Sequence, residues 1–175
     1  MMRHSPTPSA SLWMAILLAT LMTAGTTHAQ QDPPGQDEKT AESEVTLPAA
    51  PQKAQLLPFY VSPTTTMDFA IDATSVSVSP DGIVRYTMVI TSKAGASNVS
   101  YEGIRCSSME RKLYATGKPD GNWSLSRRDA WLPIADVGAN RQHAALAKDY
   151  FCDGGTIAGK AQTLVERIRK QKPLK

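Results

Sequence analysis

Apolar and polar residues alternate with a period of two from Leu56 to about residue 134, and this pattern predicts a series of β-strands. Tight turns are predicted at Pro80-Asp81-Gly82 and at residues 119–121, which repeat Pro-Asp-Gly, because proline presets its own dihedral angle and glycine accepts a positive one. The predicted strands are 56–61, 69–72, 75–79, 83–92, 98–107, 111–117, NWSL (122–125) and WLPI (131–134). Successive strands should therefore pair as antiparallel hairpins.

The strand IVRYTMVITS (83–92) carries apolar residues on both faces. In SVSVS (75–79), Val76 and Val78 share one face. Alternation along 83–92 divides its residues into two sets, namely Val84, Tyr86, Met88 and Ile90 on one face and Ile83, Arg85, Thr87 and Val89 on the other.

After Gly138 the hydrophobic period changes from two to about 3.6, which predicts helices. Asn140 is the predicted cap of the first helix, and Gly154-Gly155 its predicted end. The first helix should bury His143, Leu146, Ala147, Tyr150 and Phe151. A final amphipathic segment should bury Ile157, Ala161, Leu164, Val165 and Ile168. Strands first and helices last predict an α+β fold, in which a meander of hairpins forms an antiparallel sheet and two C-terminal helices pack on one face.

The N-terminal region has a different character. A start carrying Arg3, an apolar run from about Leu12 to Ala24 and the small residues around Ala29 predict a signal peptide over 1–29, with cleavage near Ala29. Residues 30–55 are rich in Gln, Pro, Ala and Glu and lack aromatic residues, which predicts a disordered tether. A single domain over 56–175 is expected to follow, exported to the periplasm and without a transmembrane segment.

Charge argues neither for nor against a nucleic-acid partner. Without residues 1–29 the chain has 18 Lys and Arg, 16 Asp and Glu, and a single histidine, His143. The basic residues are distributed along the chain instead of forming one block. The predicted partner is an envelope protein or a cell-wall polymer, and no nucleic-acid binding is expected.

Cys106 and Cys152 are the only cysteines. In an exported chain they are expected to pair, and their bridge would enclose about 45 residues and stabilise the fold by roughly 4 kcal/mol. Two other interpretations stay open at this point. Arg105 could lower the pKa of a free, redox-active Cys106 thiol, and the thiols could bind a metal.

Catalysis near neutral pH would have to use His143, together with a carboxylate such as Glu102 or Asp149. His143, Glu102 and Arg105 are the candidate residues for that chemistry, although His143 shares its helical face with apolar residues and also suits a structural role. The sequence contains no Gly-x-Ser-x-Gly or His-Glu-x-x-His motif. We predict no metal and no cofactor. Gly154–Ala161 resembles a phosphate loop but ends in alanine, where a magnesium-binding hydroxyl is needed.

Several segments together resemble a known family: LLPFYVSPTT, FAIDATSVSVSPDGIVRYTMVI, NVSYEGIRC, LYATGKPDGNWS and NRQHAALAKDYFC. They are similar to the CNP-one-like family of small exported proteins from Gram-negative bacteria, over roughly residues 56 to 152. The resemblance implies a periplasmic or envelope location and places Cys106 and Cys152 in the body of the domain. It implies no activity, cofactor or catalytic residue.

The leading functional prediction is a non-catalytic binding or structural module for an envelope partner. The alternatives are a small periplasmic hydrolase that uses His143 with a carboxylate, and a thiol-redox protein that uses Cys106. A cleft that gathers His143, Glu102 and Arg105 would favour catalysis, whereas separate environments for these residues would count against it.

Overall fold

A computed structural model describes residues 42–174, without the side chain of Ala139. The described residues belong to a single compact unit. The predicted signal peptide, its cleavage near Ala29 and residues 30–41 of the predicted tether lie outside the described residues.

The fold is α+β, as predicted, with an antiparallel sheet and two helices. The main path through the sheet runs β1-β2-β4-β5-β6-β7, while β3 pairs with β4 and β8 pairs with β6. The strands are β1 (Leu56–Pro58), β2 (Met67–Asp72), β3 (Ser77–Val78), β4 (Ile83–Ser92), β5 (Ser97–Arg105), β6 (Glu110–Gly117), β7 (Trp123–Leu125), β8 (Leu132–Pro133), β9 (Cys152–Asp153) and β10 (Thr156–Ile157). The last two form a separate small hairpin.

Strands β4 and β5 form the centre of the sheet and separate its two faces. Their register pairs Tyr86 with Glu102 and Arg85 with Gly103, so these two pairs lie on opposite faces. On the face that we call the helix side, Val84, Tyr86 and Met88 join a core with Leu146, Phe151, Leu164 and Ile168. On the opposite face, which we call the second face, Ile83, Arg85, Thr87 and Val89 are also buried.

The first helix begins after Asn140, as predicted, but it ends before the glycines that were predicted to end it. It consists of α1 (Arg141–Ala145) and a π-helical continuation (Leu146–Phe151), which buries Leu146, Ala147, Tyr150 and Phe151. Asn140 makes no side-chain capping hydrogen bond; its carbonyl oxygen instead faces His143. Gly154-Gly155 does not end the helix, which already ends at Phe151, but forms the turn between β9 and β10 with both φ angles positive.

The final helix, α2 (Ala161–Arg169), buries Leu164 and Ile168 as predicted. Ile157 was predicted to belong to this amphipathic segment, but it lies in β10 and pairs with Cys152. Neither helix of the described region is long and apolar enough to cross a membrane.

Residues 42–50, which we call the N-terminal segment, lie against the second face. Val45 and Leu47 pack on a cluster that contains Tyr101 and Tyr114. The indole N–H of Trp123 donates to the carbonyl oxygen of Pro48 at 2.7 Å. The packed part of the chain thus extends well before the boundary expected at Leu56, and it includes residues that composition assigned to a tether.

Candidate functional site

His143 and Glu102 meet beneath the helix side of the sheet. Strand β5 presents Glu102, and α1 presents His143 one residue after a buried glutamine. Their side chains approach to 2.6 Å, from His143 Nε2 to Glu102 Oε2. The two residues are only 3% and 6% exposed, so this contact is almost completely shielded from solvent.

Every polar atom of this pair has a partner. The hydroxyl of Ser100 donates to Glu102 Oε1 at 2.6 Å, and that of Tyr86 donates to Oε2 at 3.2 Å. On the other side of the imidazole, Nδ1 lies 3.2 Å from the carbonyl oxygen of Asn140. The pair is therefore a complete buried network, of the kind that specifies a core.

The charge on Glu102 follows from its surroundings. Burial by itself would raise the pKa of this carboxyl group, but the hydrogen bond and charge of His143, with the Ser100 hydroxyl, hold the pKa below its ordinary value. The ionised form of Glu102 is thus favoured, and its Oε2 faces Nε2 of the imidazole. Burial and the nearby Glu102 charge raise the pKa of Tyr86 well above its usual value, so Tyr86 stays a donor.

This arrangement does not suit proton transfer to a substrate. A general base needs an imidazole nitrogen with a free lone pair within reach of the substrate. Both nitrogens of His143 instead face partners inside the core, the Asn140 carbonyl oxygen and the Glu102 carboxylate. The geometry therefore resembles a structural hydrogen-bonded pair between helix and sheet.

Arg105, the third candidate, lies in a different environment. It pairs with Ile83 across β4 and β5, which places it on the second face. Its guanidinium stacks 4.1 Å from the ring centroid of Trp131 and lies 3.4 Å from Glu110. The structure thus brings His143 and Glu102 together and leaves Arg105 on the opposite face of the sheet.

Cys106 and Cys152 form a disulfide, with a Cα to Cα distance of 5.4 Å. Cys106 directly follows β5 and is 1% exposed, and Cys152 directly follows the π-helical residues and is 6% exposed. The bridge joins the centre of the sheet to the end of the first helix. The predicted disulfide is confirmed.

A second buried charge network was missed by the sequence analysis. We call it the Arg85 cluster; it consists of Glu42, Asp81, Arg85, Lys112 and Tyr114. Arg85 lies 2.9 Å from Asp81 and 3.4 Å from Glu42, and its Nε donates to the Tyr114 hydroxyl at 3.3 Å. Lys112 bonds the other oxygen of Glu42 at 2.9 Å. These contacts hold the N-terminal segment against the second face.

The ionised forms of both carboxylates are favoured in this cluster. Burial opposes ionisation of Asp81, but the Ser79 hydroxyl, the Ser43 backbone N–H and Arg85 lower its pKa to about 2. The pKa of Glu42 is likewise lowered, because hydrogen bonds from Tyr114 and Lys112 outweigh the effect of burial. Burial and the Glu42 carboxylate raise the pKa of Tyr114, so its hydroxyl stays protonated and donates to Glu42.

A short sequence signal for this cluster existed. In ESEVTL (42–47), Val45 and Leu47 alternate with the exposed Glu44 and Thr46. Two apolar residues are too few to distinguish a packed segment from a proline-rich tether. The partners of Glu42 are more than 40 residues away along the chain, so its role could not be identified from local sequence.

Two other sequence features can be placed. The described residues contain no group of three or more His, Cys, Asp or Glu side chains arranged to hold a metal. The stretch resembling a phosphate loop is interrupted by β10 and reaches Lys160 only just before α2. It therefore consists of the turn and second strand of a hairpin, followed by a short connection to α2. A phosphate loop is instead one continuous loop between a strand and a helix.

Comparisons with known proteins agree with the resemblance noted in the sequence. A model of the CNP1-like family matches residues 35–169. Cryptic neisserial protein 1 from Neisseria gonorrhoeae is 29% identical over 113 residues, which cover 58% of this chain and 55% of that relative. The chain therefore spans only about half the length of this curated relative. No solved structure matches. Because the family model covers most of the sequence, the chain belongs to the CNP1-like family.

Proposed function

We propose that this protein is a non-catalytic binding or structural module that acts in the cell envelope after export. Its partner is an envelope protein or a cell-wall polymer, and it binds no nucleic acid. In this proposal the chain is cleaved near Ala29 and works in the periplasm. Successive hairpins form a meander, and both helices cover the helix side of the sheet.

The observation that carries the proposal is the buried pair of His143 and Glu102. The only histidine beyond the predicted signal peptide uses both ring nitrogens to join the first helix to the sheet. It is 3% exposed, so its side chain is almost completely shielded from solvent. A module whose one imidazole is part of its core is better suited to presenting a surface than to performing hydrolysis.

The hydrolase alternative has one observation in its favour, the 2.6 Å contact between His143 and Glu102. Such contacts occur in catalytic dyads, but a dyad also presents its second imidazole nitrogen to a nucleophile or a water molecule. Here that nitrogen faces the Asn140 carbonyl. The redox alternative requires an accessible thiol, whereas Cys106 is 1% exposed and bonded to Cys152.

Export is supported by the disulfide, since such bridges persist in oxidising compartments. The intact mass of the mature protein, measured with and without reduction and thiol alkylation, tests this part of the proposal. We expect a chain that starts near Gln30, with two protons fewer than the reduced form and no alkylation before reduction. A chain that retains residues 1–29, or that carries two alkylatable thiols, would contradict export with a closed bridge.

The lack of catalysis is tested by replacing His143 with glutamine in a deletion strain. Glutamine can donate to Glu102 but cannot relay protons at neutral pH. If the variant forms its disulfide and accumulates to normal levels, we expect it to restore every deletion phenotype. Failure of a folded, normally abundant variant to do so would support the hydrolase.

Crosslinking in intact cells tests for the partner. Wild type and the His143→Gln variant should both yield the same covalent complex, with a mass above that of the monomer. Recovery of monomer alone from both would contradict a binding role.

A further inference from the structure

An open cleft of about 460 Å³ lies between the loop that follows β1 and the start of α1. We call it the Arg141 cleft. Its apolar wall consists of Val61, Met67 and Phe69, and its polar rim consists of Ser62, Thr64, Thr65, Arg141 and Gln142. This volume falls within the range of small-molecule sites, which also combine an apolar lining with a few convergent polar groups.

Arg141 supplies a charge without a counter-charge in the cleft. Its Nε donates to the carbonyl oxygen of Asp136 at 3.1 Å, and its Nη1 donates to Ser62 Oγ at 3.2 Å. These two bonds fix the orientation of the guanidinium, and neither partner is a carboxylate. Across the described part of the chain, Arg141 makes no ion pair, in contrast to Arg85 and Arg105. Its remaining N–H groups are available to an anionic acceptor.

The hydroxyl groups of the rim are oriented to donate as well. Ser62 Oγ accepts from Arg141 and from the backbone N–H of Thr64, so its own proton is directed at Thr64 Oγ1 at 2.9 Å. Thr64 Oγ1 therefore accepts from Ser62, and its own proton is free to donate outward. Thr65 Oγ1 accepts from the Met67 N–H at 3.2 Å, which leaves its proton free in the same way.

Gln142 adds a buried amide to this rim. The residue is 6% exposed, yet its side-chain amide makes no hydrogen bond with any described residue. Within the described region, Thr87 Oγ1 is the one side-chain polar atom that is fully buried without a partner. The amide of Gln142 therefore retains access to solvent. Because Gln142 lines the cleft, it reaches that solvent through the cleft. An amide that is mostly shielded by protein but still reaches solvent in a cleft is suited to hydrogen-bond a ligand.

The rim thus offers several donors around one guanidinium, beside a wall that is half-buried and apolar. A carboxylate accepts such donors with both oxygens and pairs with arginine in a planar geometry. An apolar group attached to that carboxylate would cover Val61, Met67 and Phe69.

We propose that the Arg141 cleft binds a carboxylate that carries a neighbouring apolar group. This chemistry is shared by a free branched organic acid and by a peptide that ends in a hydrophobic residue. The inference rests on the proposed function, because it gives the binding module a ligand class. The envelope partner could still bind through another surface if the cleft took no carboxylate.

The test is a titration of the mature, disulfide-bonded protein followed by amide NMR shifts. The probes are 4-methylpentanoate as a free acid and acetyl-Ala-Ala-Leu as a peptide, each compared with its neutral carboxamide. We expect saturable shifts at residues 61–69 and 138–142 with the acids, and binding at least about tenfold weaker with the amides, because the charge-assisted bonds are lost. Tighter binding of the peptide than of 4-methylpentanoate would identify a peptide terminus, and the reverse would identify an organic acid.

Two variants complete the test. Arg141→Met should weaken binding of the acids at least about tenfold and leave the weak binding of the amides unchanged. Lys148→Met removes a nearby exposed cation that pairs with Asp136, and it should leave the affinity for the acids within about twofold. The proposal is overturned if acids and amides bind equally, if neither binds, or if Arg141→Met binds the acids as wild type does. The amide comparison uses wild-type protein and does not depend on the folding of any variant.

Discussion

The two faces of the sheet bury charge in different ways. On the helix side, Glu102 and His143 belong to long elements that also form the main core, and each residue is at least nine-tenths buried. On the second face, Arg85 and Asp81 are equally shielded, with side-chain exposures of 5% and 2%, but the Glu42 side chain is 20% exposed. That carboxylate belongs to the N-terminal segment, which has no regular secondary structure at residues 42–50.

The two networks therefore stabilise different parts of the molecule. The pair of His143 and Glu102 stabilises the whole fold, whereas the Arg85 cluster stabilises the N-terminal segment. The helix-side pair cannot lose a partner unless the helix or the central strand moves, so its disruption should affect global unfolding. The Arg85 cluster can lose Glu42 when only the N-terminal segment detaches, so its disruption should first produce local opening. The predictions below test this difference.

The largest effect is expected from the disulfide that supports the helix side. Replacing Cys106 and Cys152 together with alanine should lower the free energy of unfolding by about 4 kcal/mol, because the bridge constrains a loop of 46 residues in the unfolded chain. Denaturant unfolding of the double variant measures this loss. Reduced wild type is its natural control and should lose a similar amount. A loss below about 1 kcal/mol in both would contradict the stabilisation expected from closing this loop.

Glu102→Gln should be the next most damaging change. It removes the buried carboxylate that accepts hydrogen bonds from His143, Ser100 and Tyr86, and we expect a loss of about 3 kcal/mol in the free energy of unfolding. The matched control is Glu110→Gln on neighbouring β6, whose side chain is 27% exposed and pairs with Arg105. That control should lose less than about 1 kcal/mol. Equal losses in the two variants would show that the buried pair of Glu102 and His143 stabilises the fold no more than the more exposed pair of Glu110 and Arg105.

Arg85→Met should cost less and act locally. It removes the cation shared by Asp81 and Glu42, and we expect a loss of about 2 kcal/mol. Limited proteolysis should then cut the N-terminal segment before the rest of the domain unfolds, and Trp123 fluorescence should change with it, since this indole contacts Pro48.

The control for Arg85→Met is the same substitution at Arg105, which lies on the same face but contacts Glu110 and Trp131. Arg105→Met should leave the N-terminal segment protected. Equal rates of proteolysis in the two variants would contradict a specific role of Arg85 in holding this segment.

Local patterns were sufficient to predict the apolar core of the helix side. Strict alternation in β4 predicted that Val84, Tyr86 and Met88 share a face, and the 3.6 period predicted that Leu146 and Phe151 are buried; all five belong to the core. The disulfide was predicted from the expected export to an oxidising compartment and from the number of cysteines, because two cysteines allow only one pairing. These inferences depend on residues close together in sequence or on a simple count.

The second face could not be predicted in the same way. Arg85 alternates correctly within β4 and has a partner nearby in Asp81, but its contacts with the N-terminal segment involve residues 42 and 43 positions away along the chain. The contact between His143 and Glu102 spans 41 positions and was likewise a candidate only by residue type. The π-helical continuation of the first helix has no recognisable sequence signal, and this moved the end of that helix away from the glycines that were expected to cap it.

The smallest predicted effect is a loss of stability at acid pH, which should depend on the aspartate of one Pro-Asp-Gly turn more than on that of the other. Asp81 has a folded-state pKa of about 2, below its ordinary value of 3.8, so it contributes stability that is present above about pH 4 and lost as the pH falls towards 2. Asp81→Asn lacks this contribution and should be about 1 kcal/mol less stable than wild type at pH 7. The gap between wild type and Asp81→Asn should close between about pH 4 and pH 2, as measured by denaturant unfolding at each pH.

The matched control is Asp120→Asn in the other turn, where an exposed carboxylate accepts the Asn122 backbone N–H at 2.9 Å. The pKa of Asp120 is also lowered, chiefly by that hydrogen bond, but Asp120 has no buried arginine and no N-terminal segment to hold. Protease protection of residues 42–50 should therefore fall with Asp81→Asn and stay unchanged with Asp120→Asn. If both variants kept full protection at neutral pH, Asp81 would be only a turn residue, and the second face would have to hold its segment through Glu42, Val45 and Leu47.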